Sequence, residues 1–183
     1  TNKIAEGELM QLANKNNLNT SLQQLKKISY YKTGRLFEAS AKSAAMLSGK
    51  SIPFIENISK AAKLIGIAFQ VRDDLLDYGV SKGNIGKPEM QDILEDKITY
   101  PLYFALKNSS KKDSSKILKK LKNKDFSIEE VADFVSSSNA FNKCNSLIQN
   151  YNNEISKCIN QISNKEIRDE MLNLSESLKN RYE

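Results

Sequence analysis

The chain has 183 residues, 28 basic side chains against 22 acidic ones, and no histidine. That length suits one domain with a sizeable buried core. The missing histidines exclude imidazole acid–base catalysis, a Ser–His–Asp triad and histidine-ligated zinc within these residues. With 7 glycines and 3 prolines, long helices are favoured over a turn-rich sandwich.

In chain order, the pattern reads as all-α. A first helix is expected from Thr1 to about Asn17, with Ile4, Leu9 and Leu12 on one side and no evident capping sequence. Asn19-Thr20-Ser21 offers the start of a second helix, Leu22 to Leu47, that stops at Ser48-Gly49, since a glycine just past a helix is a common terminator. Ser51-Ile52-Pro53 opens a third, with proline at a tolerated first-turn position. This helix runs to Tyr78-Gly79, and Leu64, Ile67, Ala68, Val71 and Leu75 form its apolar stripe. Residues 80–91, with Gly83, Gly86 and Pro88, read as a loop. Helices follow at about 99–108, 113–122, 127–137, 139–162 and 165–182. No strand alternation, internal repeat or long linker competes, so residues 1–183 are read as a single all-helical domain.

The net charge of +6 comes largely from lysine, with only Arg35, Arg72, Arg168 and Arg181 as arginines. Nucleic-acid readers use clustered Lys and Arg, often with stacking aromatics. Here Lys111, Lys112, Lys116, Lys119, Lys120, Lys122 and Lys124 are spread over polar helix faces, and no nucleic-acid partner is expected. A solvated basic surface with a weak pull on anionic substrates or lipid head groups fits better. Cys144 and Cys158 fall in one predicted helix, 14 residues and so roughly 21 Å apart, beyond disulfide reach. They read as free core thiols in a reducing compartment. No apolar run approaches the ~20 residues that span a bilayer, and the N-terminus is not a signal peptide. The expected location is the cytoplasm.

The most informative stretch is Phe69-Gln70-Val71-Arg72-Asp73-Asp74-Leu75-Leu76-Asp77-Tyr78. It sets three carboxylates within five residues, in a run otherwise apolar enough to be buried. Buried charge is costly unless paired or metal-bound. On a helix, Asp73 and Asp77 share a face and Asp74 lies about 100° round from Asp73. Oxygen donors on one side of a rod suit a hard cation such as Mg²⁺, which keeps waters and bridges to phosphate; Mn²⁺ is the alternative metal. Taken alone, the cluster reads more readily as a solvated acidic turn on an amphipathic helix.

The flanking segments decide between these. Gly66-Ile67-Ala68-Phe69-Gln70 leads into the acidic cluster. Gly86-Lys87-Pro88 and Asp92-Ile93-Leu94-Glu95-Asp96-Lys97-Ile98-Thr99-Tyr100-Pro101-Leu102 follow it. Tyr31-Lys32-Thr33 and Glu6-Gly7-Glu8-Leu9-Met10-Gln11 precede it. In this order and spacing, over about residues 1–107, the chain resembles the trans-isoprenyl diphosphate synthases, or polyprenyl synthetases. The Glu-Gly-Glu-x-x-Gln pattern resembles long-chain synthases of the octaprenyl type.

The resemblance implies a helical bundle of the isoprenoid synthase type and a metal-dependent prenyl transfer. In such a reaction an allylic diphosphate ionises and isopentenyl diphosphate attacks the resulting cation. It further implies that Asp73, Asp74 and Asp77 form the second aspartate-rich motif. Asp73 would be the direct Mg²⁺ ligand, with Asp74 and Asp77 acting partly through water or salt links. Lys32 would contact the allylic diphosphate, with Thr33 beside the developing cation. Gln70 would support that cation or bond phosphate, or serve only as a helix-packing hydrogen bond. Lys87 would sit on a lid over the diphosphate. Lys97 would reach phosphate or pair with Asp92, Glu95 or Asp96, the latter reading being preferred. Asp96 stands where the family often has glycine, which puts the local turn in doubt. The family habit also implies a homodimer. A long-chain product would need membrane or detergent to leave.

The family's first aspartate-rich motif has no counterpart here; the adjacent pair Glu129-Glu130 comes too late in the chain. Because Glu6-Gly7-Glu8 resembles sequence that follows that motif, the chain is expected to be the C-terminal half or two-thirds of a synthase. By itself it should bind magnesium–diphosphate weakly and not condense substrates. The rival readings are a non-catalytic partner subunit of a heteromeric synthase, a helical terpenoid cyclase, and a plain helical interaction module.

Overall fold

The computed structural model describes residues 2–79 and 90–180, with side chains to residue 177. Lys87 and most of the expected loop therefore lie outside the described residues. Among those described there are ten α-helices, one π-helical turn and no strand. The helices are α1 (Asn2–Ala13), α2 (Leu22–Ser29), α3 (Arg35–Leu47), α4 (Ile52–Asp77), α5 (Gln91–Leu94), α6 (Tyr100–Asn108), α7 (Lys111–Asn123), α8 (Ile128–Ser137), α9 (Ala140–Ile159) and α10 (Lys165–Asn180).

The axis of the molecule is α4, packed between α3 and α9. Its inner stripe, Ala61, Ile65, Ala68, Val71 and Leu75, is fully buried. These residues meet Ile148, Ile155 and Ile159 of α9 and Tyr100 of α6 in the largest apolar cluster. A second cluster joins Leu102 and Ala105 of α6 to Ile117 and Leu121 of α7 and Val131 and Val135 of α8. Short polar side chains start several of these helices. Ser21, Ser110 and Ser127 each accept a hydrogen bond from the backbone N–H three residues on, satisfying one of the donors that a helix start leaves orphaned.

Two boundaries depart from the sequence pattern. The first helix ends at Ala13 rather than near Asn17. There Asn14 Oδ1 accepts from Thr20 Oγ1 at 2.6 Å and from Asn17 Nδ2 at 3.0 Å. Asn16 turns to φ 56°, a left-handed conformation that asparagine tolerates. The second helix spans Leu22 to Leu47 as expected, but not as uniform α-helix, because Tyr30–Gly34 forms a π-helical turn between α2 and α3. Such a turn inserts a residue and resets the helical phase. The crossing with α4 is a close one: a Cβ on Gly66 would stand 2.7 Å from Gly34 Cα. On the other side of the turn, a Cβ on Gly7 of α1 would stand 2.5 Å from the Lys32 backbone nitrogen.

Candidate functional site

The last two turns of α4, the π-helical turn and the segment from Met90 to Tyr100 converge on a cleft of about 340 Å³. Asp73, Asp77 and Gln70 reach it from α4, Lys32 from the π-helical turn, and Asp92 and Lys97 from the third element. The three aspartates of the motif are handled differently. Asp73 is partly exposed on the cleft, while Asp74 and Asp77 are 5% and 8% exposed.

Asp77 accepts from the backbone N–H of Gln91 at 2.9 Å and of Asp92 at 2.9 Å, one through each oxygen. It thereby caps the one-turn helix α5 and ties the far wall of the cleft to α4. Asp74 accepts from Gln70 Nε2 at 3.0 Å and from the Tyr100 backbone N–H at 3.2 Å. Burial, reinforced by the Asp92 carboxylate, pushes Asp74 up to about 8, against those two hydrogen bonds, which favour the charged form.

Gln70 extends this network. Its Oε1 accepts from Thr33 Oγ1 at 3.0 Å, so one amide bridges the π-helical turn to the buried aspartate. Deeper in, the Tyr100 hydroxyl lies 3.0 Å from Ser29 Oγ, which donates to the Leu25 carbonyl. The polar chain thus runs from Thr33 through Gln70 and Asp74 to the α6 backbone.

Both lysines in the cleft are engaged. Lys32 Nζ donates to Gln11 Oε1 at 2.8 Å and lies 3.4 Å from Glu8. Lys97 pairs with Glu95 at 2.7 Å and with Asp92 at 3.3 Å. Burial lowers the Lys97 ammonium, and these two partners more than reverse it; in return Lys97 holds Glu95 down to about 2. Asp96 pairs with Lys124 instead. At φ 62° it adopts the left-handed conformation that the expected glycine would supply, which aspartate tolerates better than most residues.

Asp92 lines the cleft as well, a place that its position beside Lys97 in the sequence does not by itself reveal. Burial raises this group, opposed by Lys97 and reinforced by Asp73. Two carboxylates that line one half-buried cleft favour a cation between them. Its place in the Asp92–Lys97 block was the available signal. Among the described residues, no three acidic side chains converge as a ready-made metal cage. The donor set still suits Mg²⁺, which takes one or two carboxylates and leaves its other positions to water and substrate phosphate. Asp73 and Asp92 are the carboxylates so placed.

The Polyprenyl synthetase family model matches residues 1–138. The octaprenyl diphosphate synthase of Haemophilus influenzae is 35% identical over 117 residues, 64% of this chain and 36% of that protein. The all-trans-nonaprenyl-diphosphate synthase (geranyl-diphosphate specific) of Rhodobacter capsulatus is 34% identical over 145 residues, 79% of this chain and 44% of that protein. The chain therefore spans between about a third and a half of the length of these curated relatives. A polyprenyl synthase from Caulobacter crescentus, solved with calcium and isoprenyl diphosphate, superposes with a TM-score of 0.89 at 25% identity, covering 97% of this chain and 55% of that one. With a family match over about three quarters of the sequence and the same all-helical fold, the chain belongs to the polyprenyl synthetase family.

Proposed function

We infer that the protein these residues belong to is a Mg²⁺-dependent prenyltransferase, joining an allylic diphosphate to isopentenyl diphosphate to give a long-chain trans-polyprenyl diphosphate. One observation carries this reading: a single cleft faces the carboxylates of Asp73 and Asp92 toward the ammonium groups of Lys32 and Lys97. That is the charge pattern that a diphosphate bound through a divalent cation requires. The names of the relatives favour a long product.

In the reaction, the allylic C–O bond breaks with its electron pair leaving on the diphosphate. The π bond of isopentenyl diphosphate attacks the cation, and a proton is lost. Asp73 and Asp92 would hold the divalent cation, which would neutralise the leaving group. The chain's own side chains do the rest. Lys32 exchanges Gln11 and Glu8 for phosphate oxygens, and Lys97 steadies Asp92. Thr33 donates its proton to Gln70, so its remaining lone pairs are free to face positive charge. Gln70 is fixed in that sense because its amide N–H is held by Asp74.

Lys87 belongs to the same reading as a phosphate contact. So does a homodimer, for which the exposed Leu9, Leu12 and Leu36 offer apolar surface. No helix among the described residues is long and apolar enough to cross a membrane. The two free, buried cysteines fit a reducing cytoplasm. Since the sequence holds one Asp-Asp-x-x-Asp, the 183 residues alone should bind magnesium–diphosphate without condensing substrates.

Calorimetric titration of inorganic diphosphate with and without Mg²⁺ tests the site. Metal-dependent binding is expected, and Asp73→Ala should weaken it by at least about 100-fold. Binding indifferent to Mg²⁺, or to Asp73→Ala, removes the reading.

A further inference from the structure

The net charge of the protein is not distributed over it. Residues 111–124 carry seven lysines and one aspartate, a surplus of six, which is the whole net charge of +6; the remaining residues hold 21 bases and 21 acids. This segment is α7 with its C-terminal cap, Lys124.

The helix sorts these charges by face. Ser114, Ile117 and Leu121 are buried against the body of the protein. Lys120 pairs with Glu130 of α8 at 2.6 Å, and Lys124 with Asp96 at 2.7 Å. Lys111, Lys112, Lys116, Lys119 and Lys122 are exposed, and none is ion-paired with another described residue. At about 100° per residue, Lys112, Lys116 and Lys119 lie within roughly 50° of the outward direction, with Lys111 and Lys122 on the flank away from Lys120. Glu130 of α8 pairs on the Lys120 side, and the helix's own exposed acid, Asp113, falls about 20° from Lys120 on that same side. The outward face is therefore a strip of ammonium groups about 15 Å long. Neighbouring like charges at i, i+3 and i, i+4 weaken the helix that bears them, so nothing in the fold calls for the strip.

We propose that the outer face of α7 is a docking surface for an anionic lipid bilayer. The strip is convex and carries no arginine fork or aromatic ring, and residues 105–125 contain neither. A discrete phosphate is held by converging donors, and nucleic acid by arginine and stacking rings. A bilayer presents a diffuse sheet of negative charge that asks only for clustered point charges, which is what lysine supplies. Clusters of four to eight basic residues on one helix are the usual form of such a surface. Burial of this strip within a folded assembly would strand five ammonium groups, so it suits a partner that leaves them hydrated.

The test is co-sedimentation of the purified protein with phosphatidylcholine vesicles and with vesicles of phosphatidylcholine mixed with phosphatidylglycerol. Binding to the anionic vesicles alone is expected. It should fall as salt shortens the Debye length from about 10 Å at 0.1 M to about 3 Å at 1 M. The triple variant Lys112→Glu/Lys116→Glu/Lys119→Glu, with unchanged helical circular dichroism, should lose at least about 100-fold in partitioning, since each lysine removed costs roughly fivefold. Removing each of the three to alanine gives the same ranking if reversal disturbs the fold. No binding to anionic vesicles at low salt overturns the proposal. So does equal binding to neutral vesicles, binding that survives the triple variant, or binding to single-stranded RNA in preference to the anionic vesicles.

Discussion

The end of α4 and the length of α7 both crowd like charges onto one helix, and the fold treats them in opposite ways. In α4, Asp74 and Asp77 are drawn inside; Asp77 spends both oxygens on backbone donors from α5, and Asp74 one on Gln70 of its own helix and one on the distant Tyr100 backbone. In α7 the lysines stay in water, and only Lys120, with Lys124 at its cap, finds a partner. Buried charge must be satisfied by geometry, so the acidic cluster is locked into a three-dimensional frame. Exposed charge needs no frame and acts through its field. Within the acidic motif, Asp74 and Asp77 are buried and tie the cleft together, whereas Asp73 is partly exposed on it.

That contrast can be broken by substitution. Asp77→Ala strands two backbone N–H groups at the start of α5 and should lower unfolding free energy by about 2–4 kcal/mol in urea denaturation. Asp73→Ala on the open side of the same helix should leave stability within about 0.5 kcal/mol while removing metal-dependent diphosphate binding. If the two variants are equally destabilised, the division of labour is wrong. Gly66→Ala is next: its Cβ meets the Gly34 Cα at 2.7 Å, and overpacking there should cost about 1–3 kcal/mol. Because it displaces the π-helical turn, it should also weaken diphosphate binding; loss of stability without loss of binding would separate the turn from the site. Smallest is Lys120→Ala, which removes a half-exposed ion pair and should shift the urea midpoint by the equivalent of about 0.2–1 kcal/mol. A larger loss would mean that α7 is held by its charges rather than by Ile117 and Leu121.

Much of this architecture was legible as text. The apolar period of α4 and the glycine and proline punctuation at Gly49 and Pro53 each act within a few residues, so α4 and the helices from α6 to α10 follow from the sequence, while the one-turn α5 does not. Motif spacing singles out Lys32, Thr33, Gln70 and the aspartates, and the fold gathers Lys32, Gln70, Asp73 and Asp77 on one cleft, with Thr33 and Asp74 hydrogen-bonded to Gln70. What the text could not display was the role of each member. Asp74 and Asp77 look alike beside Asp73 until Tyr100, Gln91 and Asp92 arrive from 14 to 26 residues away to claim their oxygens. Asp92 reads as a pairing partner for Lys97 until α5 swings it opposite Asp73.

By itself, then, the sequence determined an all-helical chain, its family and its kit of charged groups, since periodicity, capping and motif spacing are local properties. Tertiary structure alone decided the π-helical turn, the left-handed Asn16 and Asp96, and which carboxylates are buried. Those depend on how closely Gly7 and Gly66 let neighbouring helices approach, and on which distant backbone donors are left needing an acceptor.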